Sequence, residues 1–199
     1  MLAFAGTLFL MISTPGPGVL TTAGIGSGFG WAAGLRFLTG LFIGTNLTAI
    51  LVISGLSAVV LADPVIRTVL VWASIAWFFY MAAKIALAGA KIGFVAANRA
   101  PRLIDGIGLQ LINPKAYVVN TLLFGGFAFW DHSPAEYVAK FVIINAIWVP
   151  VHFAWLWAGV RVGQLDLAPG LQRAINIAMA VSLIVVVTLS ARAMLLEAP

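Results

Sequence analysis

The sequence predicts an all-α integral membrane protein: six transmembrane helices folded as a 3+3 inverted repeat, with helices one and four broken. Composition, the spacing of charges and a near-coincidence of rare residues between the two halves predict it. Of 199 residues, 62% are hydrophobic and 9% charged, with eleven Lys and Arg, six Asp and Glu, no cysteine and a formal charge of +5. Soluble domains carry roughly a quarter charged residues, so this chain lacks the side chains to coat a water-facing surface. Six crossings of about 20 residues occupy about 120 positions, which leaves room for connections but for no sizeable soluble domain. A single membrane domain over residues 1–199 is expected, with a first repeat 1–97 and a second 103–199. The missing cysteines exclude thiol–disulfide carriers and thiolate metal sites. The scattered cations do not form the basic face of a nucleic-acid binder.

The crossings follow from the charges, because an unpaired charge at helix centre costs about 2.5 to 3.5 kcal/mol. Helix one is expected from Leu2 to Ala23, closed by a loop at the glycines 24, 26, 28, 30 and 34. Helix two runs from Phe37 to Ala62, ending at the turn-forming pair Asp63-Pro64. Helix three runs from Val65 to about Ala90 and carries Lys84 near its end, read as an interface anchor. A polar connection from Lys91 to Asp105 divides the chain. Helix four then spans Ile104 to Trp130, helix five Pro134 to Val160, and helix six Leu171 to about Leu195. The first segment is retained as a true crossing, since no Lys or Arg precedes Arg36 and two prolines interrupt the run. Arg36, Lys91, Arg99, Arg102, Arg161 and Arg173 fall on the side of the odd loops, against Arg67, Lys140 and Arg192 on the other. The positive-inside rule therefore predicts a cytoplasmic 91–102 loop.

Offsetting the chain by 99 residues superposes Pro15 on Pro114, Trp31 on Trp130, Phe42 on Phe141 and Asn46 on Asn145. Three crossings per half is an odd number, so the second copy enters the bilayer from the opposite side, the layout of many secondary transporters. Ser13-Thr14-Pro15-Gly16-Pro17-Gly18 and Asn113-Pro114-Lys115-Ala116 interrupt helices one and four. Proline lacks an amide proton and pushes the residue before it out of the helical region. Thr14 and Asn113 read as N-caps with Pro15 and Pro114 in the first helical positions. Pro15 lies roughly 20 Å along its helix and Pro114 roughly 15 Å, at about 1.5 Å per residue, near the middle of a core about 30 Å thick. Non-helical backbone at that depth is tolerated only inside protein or beside a watery cavity. Two electropositive half-helix starts would then share a central space, with amides around Gly16, Gly18 and Ala116 available to an anion such as a carboxylate.

Lys115 adds a full charge there, too deep to snorkel easily. Asn46 and Asn145 read either as substrate contacts or as interhelical hydrogen bonds. His152 is the only mid-span group that titrates near neutrality, either a proton carrier or a packing histidine. Gly40 and Gly44 read as a close-packing face. No Asp or Glu lies mid-span, which disfavours basic side chains and metal dications as cargo and favours a neutral amino acid or small zwitterion.

Thr14-Pro15-Gly16-Pro17, Asn113-Pro114-Lys115-Ala116 and Trp77-Phe78-Phe79-Tyr80-Met81-Ala82-Ala83-Lys84 resemble motifs of the LysE/RhtB family of amino-acid exporters, over essentially the whole chain. The resemblance implies a six-helix protein of the bacterial inner membrane that exports amino acids or close derivatives, driven by an ion gradient, usually of protons. Gly18 stands where family members often carry asparagine. The partners expected are an amino-acid substrate and membrane lipid, with no nucleic acid and no cofactor, and self-association into a homo-oligomer is left open. The competing readings are an exporter of basic amino acids or metal cations, a non-transporting membrane scaffold, and a membrane-embedded enzyme.

Overall fold

The computed structural model describes residues 1–14, 16–55, 63–87, 99–130, 133–165 and 167–196. Every regular element among them is a helix: α1 (Leu2–Ser13), α2 (Pro17–Ile53), α3 (Pro64–Ala86), α4 (Leu103–Leu111), α5 (Pro114–Gly125), α6 (Pro134–Gly163) and α7 (Pro169–Leu196). Three stretches among the described residues, Pro17–Ile53, Pro134–Gly163 and Pro169–Leu189, are long and apolar enough to cross a bilayer. Helix α2 is not one rod. Gly30 sits at φ 73°, ψ −170° and divides it into arms of residues 17–29 and 31–53.

That single break corrects the expected loop at residues 24 to 34. The chain stays helical before position 30 with its first arm packed closely against α6, bare Gly26 lying at the contact. A Cβ at Gly26 would stand 2.8 Å from the Leu156 carbonyl oxygen, and Gly159 and Gly163 lie on the backbone of Ala23 and Ser27. Such packing offsets the helix-propensity cost of glycine, about 1 kcal/mol per residue relative to alanine. On the other arm, Gly40 lies on the Leu103 backbone, Gly106 on Phe37, and Gly44 against Ile107 and Gln110. Both seams flank Gly30, so both lie at the same end of the molecule.

Other boundaries also moved. Helix α2 ends at Ile53, with Gly55 at φ 72°, rather than at Ala62; residues 56–62 lie outside the described set. The Asp63 carboxylate accepts from the amides of Val65 (2.8 Å) and Ile66 (3.0 Å) and so starts α3. Most of the 91–102 connection, residues 91–98, lies outside the described set; beyond it Arg99 pairs with Asp105 at 2.8 Å. The expected helix four arrives in two pieces and stops at Gly125, short of Trp130. Two apolar cores result. Phe37, Leu41, Phe78, Leu156 and Leu183 belong to one. Phe4, Leu8, Leu123, Phe124 and Ile144 belong to the other, ringed by Phe127, Phe129, Tyr137 and Phe141.

Candidate functional site: a cavity at two helix breaks

Helix α1 ends where the Thr14 backbone turns extended (φ −61°, ψ 125°), with its hydroxyl donating back to the Leu10 carbonyl at 2.7 Å. Thr14 therefore closes the first half-helix instead of capping the second. Gly16 is the N-cap of α2 and Pro17 its first residue; the Gly16 carbonyl accepts the first helical bond, from the Leu20 amide at 3.0 Å. Pro17 decides this, since its ring removes a donor that has no partner at the first helical position and holds Gly16 extended. Pro15 lies outside the described residues.

The second break follows the expected form. Asn113 is the N-cap of α5, Pro114 comes first in the helix, and the Asn113 side chain accepts from the Lys115 amide at 3.1 Å. The Ala116 amide is already taken by the Asn113 carbonyl at 3.0 Å, so it is not free for an anion as the sequence suggested. Helix geometry leaves the amides of Gly18 and Val19 without intrahelical partners.

Both breaks face one cavity enclosing about 560 Å3 of atom-free space, counting its mouth. Thr14, Gly16, Pro17, Gly18, Asn113, Lys115 and Ala116 all line it, as does His152. Lys115 reaches across from α5, and its ammonium donates to the Thr14 carbonyl at 2.9 Å. Bare Gly16 admits it: a Cβ there would stand 3.1 Å from Nζ. The ammonium thus ties the end of α1 to the start of α5, at the spot where α2 begins. His152 stacks on Trp148 (centroids 3.7 Å apart, planes at 15°), and Nδ1 is 2.9 Å from the Trp148 carbonyl.

Asn46 and Asn145 are not in the cavity lining. They bond each other reciprocally, Asn46 Nδ2 to Asn145 Oδ1 at 3.2 Å and Asn145 Nδ2 to Asn46 Oδ1 at 3.0 Å, and each also donates to its own helix, at Phe42 and Phe141. Sequence reasoning missed Thr45, Gln110 and Asn120, which do line it. Gln110 and Asn120 were detectable as rare amides in apolar segments; Thr45, bonded to the Leu41 carbonyl of its own helix, left no signal. A buried pair was missed as well. Lys140 and Glu136, both fully buried, lie 2.7 Å apart. Lys140 donates to the Phe124 carbonyl at 3.2 Å and to that of Phe127, and Glu136 accepts from the Trp130 amide at 2.6 Å. An i, i+4 pair near a helix start is also an ordinary surface pattern, so local sequence does not mark this one as buried.

Neither a curated protein nor a solved structure matches the chain. The family model described as LysE type translocator matches residues 9–194. With proline-bounded half-helices meeting at a cavity and a match over nearly its full length, the chain belongs to the LysE type translocator family, as a multi-pass membrane protein.

Proposed function

We propose that the protein is a secondary active exporter of neutral amino acids or small zwitterions. The observation that carries this is the Lys115 ammonium, lining a cavity at the meeting of two half-helices. No Asp or Glu is among the residues lining that cavity. A substrate carboxylate would displace the Thr14 carbonyl as partner of Lys115 and find the Gly18 and Val19 amides at the positive end of α2. A lysine side chain or a metal dication would meet no anionic ligand there. These features also weigh against a scaffold, which has little use for a cation beside broken helices at mid-depth.

Transport would proceed by alternating access between two inverted repeats, α1 to α3 and α4 to α7, around the cavity. The Asn46–Asn145 pair supports this reading: its members are offset by 99, and so are the Phe42 and Phe141 carbonyls they also bond. The basic end near Arg36, Arg102 and Arg161 would face the cytoplasm of a bacterial inner membrane. A proton gradient is the proposed drive, with His152 as the candidate carrier.

Lys115→Ala tests the site. Export of neutral amino acids from loaded proteoliposomes should fall by about ten- to a hundredfold, since the charge-assisted bond removed is worth about 1.5 to 3 kcal/mol. The variant should still elute as a folded species. Unchanged export by a folded Lys115→Ala variant would overturn the assignment.

A further inference from the structure

Asn46 and Asn145, which the sequence offered to the substrate's ammonium, satisfy each other away from the cavity. His152 supplies an acceptor for it. A carbonyl oxygen only accepts, so the ring nitrogen 2.9 Å from the Trp148 carbonyl, Nδ1, carries the proton. In the neutral imidazole, Nε2 is then a bare acceptor. The ring is buried, 5% exposed, and held flat against Trp148. Its Nε2 faces the space over Gly18, 3.8 Å from where a Cβ on that glycine would sit, and makes no hydrogen bond to a described residue. A side chain at position 18 would fill the approach to this nitrogen; glycine leaves it open.

The rest of the cavity is chemically lopsided. Its polar groups, Lys115, Asn113, Gln110, Asn120, Thr45 and His152, contrast with an apolar wall. That wall is built by Leu8, Met11 and Ile12 of α1, Val119 and Leu123 of α5, and Ile144 of α6. An occupant therefore needs an anionic group, a hydrogen-bond donor and a hydrocarbon body.

We infer that the cavity binds α-amino acids with aliphatic side chains, the ammonium donating to His152 Nε2 and the side chain lying on the part-exposed Met11, Ile12 and Val119 side chains. This rests on the export reading and narrows it, since a polar side chain would strip its own hydration against that wall without replacement. It also gives His152 a recognition role in its neutral form, in which Nε2 accepts.

The test is exchange of labelled amino acids across proteoliposomes holding the full chain, challenged with unlabelled competitors. Leucine and isoleucine should exchange and compete at least about tenfold better than alanine, the range expected for added methylenes in an apolar pocket. Serine, glutamine and lysine should compete more weakly than leucine. The analogue 2-hydroxyisocaproate keeps the carboxylate and the side chain but has no ammonium. It should compete at least about tenfold more weakly than leucine against the wild-type protein, and His152→Phe should erase that difference. Equal competition by leucine and the hydroxy acid in the wild type overturns the ammonium assignment, even if His152→Phe does not fold. Exchange of glutamine or lysine in preference to leucine overturns the aliphatic assignment while leaving export intact. Exchange of no amino acid at all removes the export reading instead.

Discussion

At the scale of single residues, the polar groups of this chain divide into those that satisfy one another and those held toward a cavity. Asn46 and Asn145 belong to the first kind, each amide spending its donors on its own helix and on its partner. Replacing either by leucine leaves the other's amide short of a partner in an apolar setting. Asn46→Leu and Asn145→Leu should each lower unfolding stability in detergent, and a double-mutant cycle should return a coupling of about 0.6 kcal/mol, up to about 1.7. Substrate affinity should be unchanged in both single variants. A variant that unfolds normally yet loses affinity would return these residues to the binding site. Lys115 and His152 belong to the second kind, and the sequence distinguished Lys115 easily because a mid-span cation has few structural uses. It could not decide which nitrogen of His152 carries the proton, since that depends on a carbonyl one helical turn away and on which wall the ring leans against.

At the scale of elements, the half-helices depend on how their loose ends are satisfied. Asn113 caps α5 at its start. At its other end Lys140 accepts the role of cap, donating to carbonyls at and just beyond the last turn of α5, while Glu136 neutralises it and holds the Trp130 amide. The pair thus fastens the chain between α5 and α6 to the underside of the aromatic cluster around Phe124, Phe129 and Tyr137. Removing one buried charge strands the other, which costs about 3 to 5 kcal/mol, whereas removing both is far milder. Lys140→Met should therefore cost about that much in a reversible detergent unfolding experiment. Glu136→Gln/Lys140→Met should recover a large part of it, because glutamine still accepts from the Trp130 amide. A double variant less stable than Lys140→Met would show that the ion pair is not what holds this end.

At the scale of the whole molecule, the two ends are packed by different means. The end around Gly30 is sealed by backbone-to-backbone seams, Gly159 and Gly163 on the first arm of α2 and Gly40 and Gly106 on its second. The other end is filled by aromatic side chains. A rocking motion would have to part the glycine seams, where no side chain can bend to accommodate a change. Gly159→Ala puts a methyl group into the Ala23 carbonyl and should cost about 1 to 3 kcal/mol, with slower exchange. Gly125→Ala, where a Cβ meets nothing within 4 Å, should be neutral or stabilising by up to about 1 kcal/mol. Thermal unfolding of the two variants side by side checks this; equal stability would mean that the seam has slack.

The amino-acid sequence by itself determined that this chain is a helical membrane protein, that helix one and helix four break, and that Lys115 lies at a break. Those features follow from local chemistry: hydrocarbon content, the missing amide of proline, the capping reach of Asn113, and the cost of a deep charge. What only the tertiary structure decided is which groups those breaks present. The second half-helix starts at Pro17 with Gly16 as its cap, the Ala116 amide is occupied, the two asparagines face each other, and the glycines before Gly30 stay helical. Each of these depends on atoms brought together from distant parts of the chain, where a hydrogen bond or a close approach to another helix outweighs the local preference.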